Sequence, residues 1–97
     1  MTTEKDQELI NQLIQATEQG RVTWHPTATL NEFTTSFKGR FSVLVGRYYF
    51  RIVDEDGREM VSIEGEVPAA LEQLFDLARR TALHVDQAID EILQELK

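Results

Sequence analysis

The stretch Phe33-Thr34-Thr35-Ser36-Phe37-Lys38-Gly39-Arg40-Phe41-Ser42-Val43-Leu44-Val45-Gly46-Arg47-Tyr48-Tyr49-Phe50-Arg51-Ile52-Val53-Asp54-Glu55-Asp56-Gly57 decides the fold. Its apolar residues alternate, which is the period of a half-buried strand. Phe33, Thr35 and Phe37 form one set. Phe41, Val43 and Val45 form the next, with Ser42 and Leu44 opposite. Tyr48, Phe50 and Ile52 share a face, with Tyr49, Arg51 and Val53 on the other. Lys38-Gly39 and Gly46-Arg47 read as tight turns. Asp54-Glu55-Asp56-Gly57 reads as a hairpin loop whose glycine supplies a positive φ. Met60 to Ile63 is the last strand. No helical pattern interrupts the series, so the strands form an up-and-down antiparallel meander.

Working outward, Val22 and Trp24 alternate with Arg21, Thr23 and His25 as a short first strand ended by Pro26, which cannot donate to a ladder. A loop around Ala28 to Asn31 follows. Before this lies an amphipathic helix with Leu9, Ile10, Leu13 and Ile14 on one stripe. Thr3 caps it, with Asp6 three residues on, and Gly20 stops it. After the meander, Pro68 opens a helical region at a first-turn position. There Leu71, Phe75, Ala78, Ala82, Val85, Ile89, Ile92 and Leu96 recur in alternating steps of four and three, a heptad seam. Two readings stand. One straight helix of about 27–30 residues would be ~40–45 Å long, longer than the ~30–35 Å expected of so small a domain. The other places a break at His84-Val85-Asp86, with Asp86 capping a second helix. Leu74, Leu77, Leu83 and Leu93 widen the stripe and favour packing on a sheet. The fold class is α+β: an N-terminal helix, an antiparallel meander of four to five strands, and one long or two short C-terminal helices on one sheet face, in a single domain over 1–97.

Composition narrows the function classes. The 97 residues contain no cysteine, which excludes disulfides, thiolate catalysis and cysteine-ligated metal sites. The start Met1-Thr2-Thr3-Glu4-Lys5-Asp6 is polar, and no apolar run approaches the ~20 residues of a membrane helix. A cytoplasmic protein with no membrane contact is the expectation. The net charge of −7 disfavours a simple nucleic-acid binder. The charge is uneven: residues 21–63 carry six bases against five acids, whereas both ends are acidic.

No catalytic constellation emerges. Ser36, Ser42 and Ser62 lie in strand patterns without a glycine-flanked elbow. His25 and His84 are the only histidines, and His84 with Asp86 and Asp90 does not share one helical face. The acidic hairpin has its glycine fourth, not sixth as a calcium loop requires. No glycine-rich phosphate cradle is present, and Asp76, Asp90 and Glu91 read as solvated helix faces. The expectation is therefore a non-enzyme without metal or cofactor. Trp24 reads as a core anchor, with a stacking or interface role as the alternative.

The open sheet face is more informative. Tyr49 and Arg51 share one side of a strand, with Arg40, Ser42, Leu44, Arg58 and Met60 around them. Interleaved aromatic and basic side chains suit single-stranded nucleic acid, and they equally suit an acidic protein partner. The candidate interaction surface is Arg40, Tyr49, Arg51 and Arg58, together with the seam residues Val85, Ile89, Ile92 and Leu96. The favoured function is a protein–protein interaction or self-association module, a homodimer or a small regulatory protein of the antitoxin or immunity type. A single-stranded nucleic-acid binder and an enzyme with an unrecognised site are the alternatives.

The segments Leu13 to Trp24, Tyr48 to Met60 and Leu74-Phe75-Asp76-Leu77-Ala78-Arg79-Arg80 together resemble a loose group of small uncharacterised bacterial proteins. That group shares a helix, a tryptophan-bearing first strand, a hairpin like Asp54-Glu55-Asp56-Gly57-Arg58-Glu59 and a closing helix. The resemblance implies the fold and a bacterial origin, and it implies no activity.

Overall fold

The computed structural model describes residues 3–65 and 68–97. Helix α1 (Glu4–Glu18) is followed by β1 (His25–Pro26), β2 (Glu32–Phe37), β3 (Phe41–Gly46), β4 (Tyr49–Asp54) and β5 (Glu59–Glu64), then α2 (Ala69–Ala82) and α3 (Val85–Glu95). The strands form one antiparallel sheet in the order β1-β2-β3-β4-β5. The expected α+β meander is therefore present, with five strands and two C-terminal helices.

Local chemistry accounts for the boundaries. Thr3 accepts from the Asp6 amide while Asp6 accepts from the Thr3 amide, a complete capping box. At the other end Gly20 takes φ +75°, so that Arg21 N donates to Ala16 O and Gly20 N to Thr17 O. This pattern satisfies the last carbonyls of the helix. Lys38 and Gly39 both adopt positive φ, as a tight β2–β3 hairpin needs. The β3–β4 turn falls one residue later than the sequence suggests. Gly46 pairs with Tyr49, leaving Arg47-Tyr48 as the loop. Tyr48 is consequently an exposed turn residue and not an inward one. The first strand also starts later: it is only His25–Pro26, paired with Thr34 and Phe33. Proline is tolerated there because β1 is an edge. Pro68 stands at the N-cap of α2, just before the first turn.

The core lies between one sheet face and helices α1 and α2. Ile10, Leu13 and Ile14 of α1 and Leu71, Leu74, Phe75 and Ala78 of α2 pack with Phe33, Val43, Val45, Phe50 and Ile63. Trp24 is 1% exposed and fills the centre of this layer. Its Nε1–H donates to Thr17 Oγ1 (3.0 Å), whose hydroxyl donates to Leu13 O (2.7 Å). The buried indole donor is thus satisfied by the helix it packs on, as a buried polar atom must be.

The C-terminal region bends. His84 adopts φ 53°, ψ 47°, which ends α2 and starts α3. The bend does not close the core, however. Helix α2 packs on α1 and on β1, β2 and β3, whereas α3 packs on α2 and buries no residue. The first half of the heptad seam is core and the second half is solvent-exposed. The molecule is correspondingly elongated, 49 × 27 × 24 Å.

Candidate functional site

Two surfaces result, and the predicted site residues are divided between them. The outer sheet face is organised by a glycine. In one cross-strand row Glu32, Gly46, Tyr49 and Glu64 lie side by side on β2 to β5. A Cβ at Gly46 would stand against Tyr49 Cε2 and Cζ, closer than any real contact. Without that Cβ the ring lies across β3, and its hydroxyl donates to Glu32 Oε2 on β2. The Arg51 guanidinium lies over the Tyr49 ring, 4.4 Å from its centre. Its Nη2 donates to Glu64 Oε1 at 2.9 Å. Its buried Nε lies 3.2 Å from Glu59 Oε1 without hydrogen-bond geometry.

The network marks the titration of its members. Burial first, and then the hydrogen bond to Glu32, push Tyr49 up to about 12. The hydrogen bond with Glu64 raises Arg51 further. The same bond holds the Glu64 carboxyl below the usual carboxylate range. Tyr49 and Arg51 therefore do share a surface, as their alternation indicates. The carboxylates facing them from β2 and β5 were not apparent from that alternation, because strand register decides which charges become neighbours.

Arg40 and Arg58 stand apart from this network, at the hairpin end of the sheet. Arg58 Nε lies 3.0 Å from Asp54 Oδ2 and its Nη2 3.2 Å from Asp56 Oδ2. Asp54 also accepts from the Asp56 and Arg58 amides, so the acidic hairpin binds itself. Arg40 lies 3.8 Å from Glu55 and 5.1 Å from the Phe41 ring centre, on the inner side. Met60 is also redirected. It is the extra residue of a bulge between the pairs Ile52↔Val61 and Val53↔Glu59, and it faces the helix side.

The second surface is the far end of α3. Ile89 (42% exposed), Ile92 (59%), Leu93 (50%) and Leu96 (77%) form a continuous apolar stripe beside the half-buried Val85. The helix is tied to α2 by the Arg80–Asp86 pair at 2.7 Å. A third feature was not foreseen at all: an open apolar groove of about 520 Å³ where α1 fails to cover the hairpin end of the inner sheet face. It is lined by Leu9 and Leu13 of α1, Val22, Phe41, Ile52 and Met60, among others. Each of these residues is legible as apolar in the sequence, but the uncovered space between them is not.

His25 and His84 are both exposed. The shallow hollow that includes His25 has threonines and Ser36 around it and no carboxylate in its lining. Among the described residues no group of three or more His, Asp or Glu is placed to hold a metal ion. No described helix is long and apolar enough to cross a membrane. No family model, curated protein or solved structure matches the chain.

Proposed function

We propose that this protein is a protein–protein interaction module without a catalytic centre of its own, and that α3 is its binding element. The observation that carries this reading is that an amphipathic helix holds four large aliphatic side chains in water and buries none of its residues. Exposing a contiguous apolar stripe is unfavourable, and a partner that covers it recovers about 1.5–3 kcal/mol for each large side chain fully buried. The carboxylates Asp86, Asp90, Glu91 and Glu95 on the same helix favour a partner with basic groups around an apolar seat. A small regulatory protein of the antitoxin or immunity type is consistent with this arrangement.

The single-stranded nucleic-acid reading loses support at its central residues. Arg51 is already neutralised by Glu59 and Glu64, and the Tyr49 ring is covered by Arg51, so neither is free for a phosphate or a base. The test compares Ile92→Glu with Arg51→Met. Association, whether with itself or with a partner recovered from the native host, is expected to be lost in Ile92→Glu and kept in Arg51→Met. The reverse pattern, or no association in the unsubstituted protein, overturns the proposal.

A further inference from the structure

The groove and the α3 stripe are both apolar, both uncovered and both part of one chain. No residue of α2 or α3 lines the groove, and α3 packs on α2 rather than on the sheet. The chain therefore carries an exposed apolar helix stripe and an open apolar groove that it does not bring together. Their charges are opposite. Arg21 lines the groove, and Lys38 and Arg40 occupy the turn between Phe37 and Phe41 at its edge. The Arg21 guanidinium hydrogen-bonds Gln19 (2.7 Å), and no described carboxylate pairs with Arg21 or Lys38. On α3, by contrast, Asp90, Glu91 and Glu95 have no described cationic partner, and only Asp86 is paired.

We propose that the occupant of the groove is α3 of a second copy of this chain, exchanged reciprocally, so that two protomers close as a symmetric dimer. This deepens the reading of α3 as the binding element and rests on it. A two-fold exchange uses the same patch on each chain and makes every contact twice. It covers both apolar surfaces and leaves no unpaired groove for further chains to fill. The left-handed break at His84 is what sets α3 off from α2 toward a neighbour. Around the seat, the α3 carboxylates come to the Arg21, Lys38 and Arg40 edge, so association weakens as salt rises.

The experiment uses sedimentation and cysteine cross-linking on the full chain. The absence of any native cysteine makes introduced thiols unambiguous. The protein is expected to sediment at twice 11.2 kDa. Ile92→Glu on the helix and Met60→Glu at the groove mouth are each expected to raise the dissociation constant roughly 100-fold or more, since each buries a charge in an apolar contact. Met60 is 57% exposed, so that variant is expected to fold, which its urea melt checks. Chains bearing only Ile92→Cys, mixed with chains bearing only Met60→Cys, are expected to form a disulfide-linked heterodimer on oxidation. A protein monomeric at millimolar concentration overturns the exchange, and if a different partner is then lost by Ile92→Glu, the interaction-module reading still stands. A dimer that survives Met60→Glu and gives no Met60→Cys to Ile92→Cys link also overturns it, and indicates α3 pairing with α3. A monomer with no α3-dependent partner overturns both.

Discussion

Replacing Gly46 by alanine tests the organisation of the outer sheet face. In an extended strand this change ordinarily stabilises by about 0.5–1 kcal/mol, because glycine has more backbone freedom to lose. Gly46 has no positive φ that alanine would resist. Here the new Cβ occupies the space of the Tyr49 ring, so the ring must leave. Its hydrogen bond to Glu32 is lost, worth about 1.5–3 kcal/mol for a charged acceptor. The Arg51 stack goes with it, about 0.5–1 kcal/mol at an exposed site. A strained tyrosine rotamer adds about 0.5–1.5 kcal/mol. Against the propensity gain, the net is a loss of about 3 kcal/mol, with a fall in Tm of roughly 12–24 °C for a domain of this size. Urea unfolding followed by the fluorescence of the buried Trp24 measures it. The same substitution in a Tyr49→Ala background is expected to be neutral or stabilising, because nothing is left to displace. If Gly46→Ala stabilises the otherwise unsubstituted protein, the row Glu32–Gly46–Tyr49 is not organised as described.

Further outcomes follow from the same contacts. Glu32→Gln is expected to lower the Tyr49 titration from about 12, seen by phenolate absorbance, yet leave it above 10 because burial is the larger cause. Since Tyr49 is raised in the folded state, its contribution to stability is complete below about pH 10 and is lost as pH rises toward 12. Glu64 acts with the opposite sign. Its carboxyl is lowered, so its contribution is present above the ordinary carboxylate value and is lost as pH falls through the folded one; Arg51→Met is expected to raise the Glu64 titration by NMR and flatten that acid arm. Thr17→Val removes the acceptor of the buried Trp24 donor and is expected to cost about 1–3 kcal/mol in urea melts, whereas Thr17→Ser costs less than Thr17→Val.

Much of the fold is legible because it is local. The alternation through Phe33, Thr35 and Phe37 and through Phe41, Val43 and Val45 reports which side chains the pleat sends inward. Thr3, Gly20, Lys38-Gly39 and Gly57 punctuate the chain through backbone preferences that act over a few residues. Less legible were the places where one residue shifts a register. The turn slid from Gly46-Arg47 to Arg47-Tyr48, taking Tyr48 out of the core, and a bulge carried Met60 from the outer face to the groove. Both shifts stay local: Phe50 and Ile52 beyond the turn still face inward, and only the residue at each irregularity changes place.

The candidate surface divides in the same way. Sequence alone determined that Tyr49 and Arg51 share a face and that Val85, Ile89, Ile92 and Leu96 share a stripe, since both follow from the repeat of a single element. Only the tertiary structure decided that Glu32, Glu59 and Glu64 neutralise that face, that Arg40 and Arg58 stand apart from it, that the bend at His84 leaves α3 uncovered, and that α1 leaves an apolar groove open on the inner sheet face. Those outcomes depend on which elements become neighbours across the sheet and how far each helix reaches over it. Neither is contained in the period of any one segment.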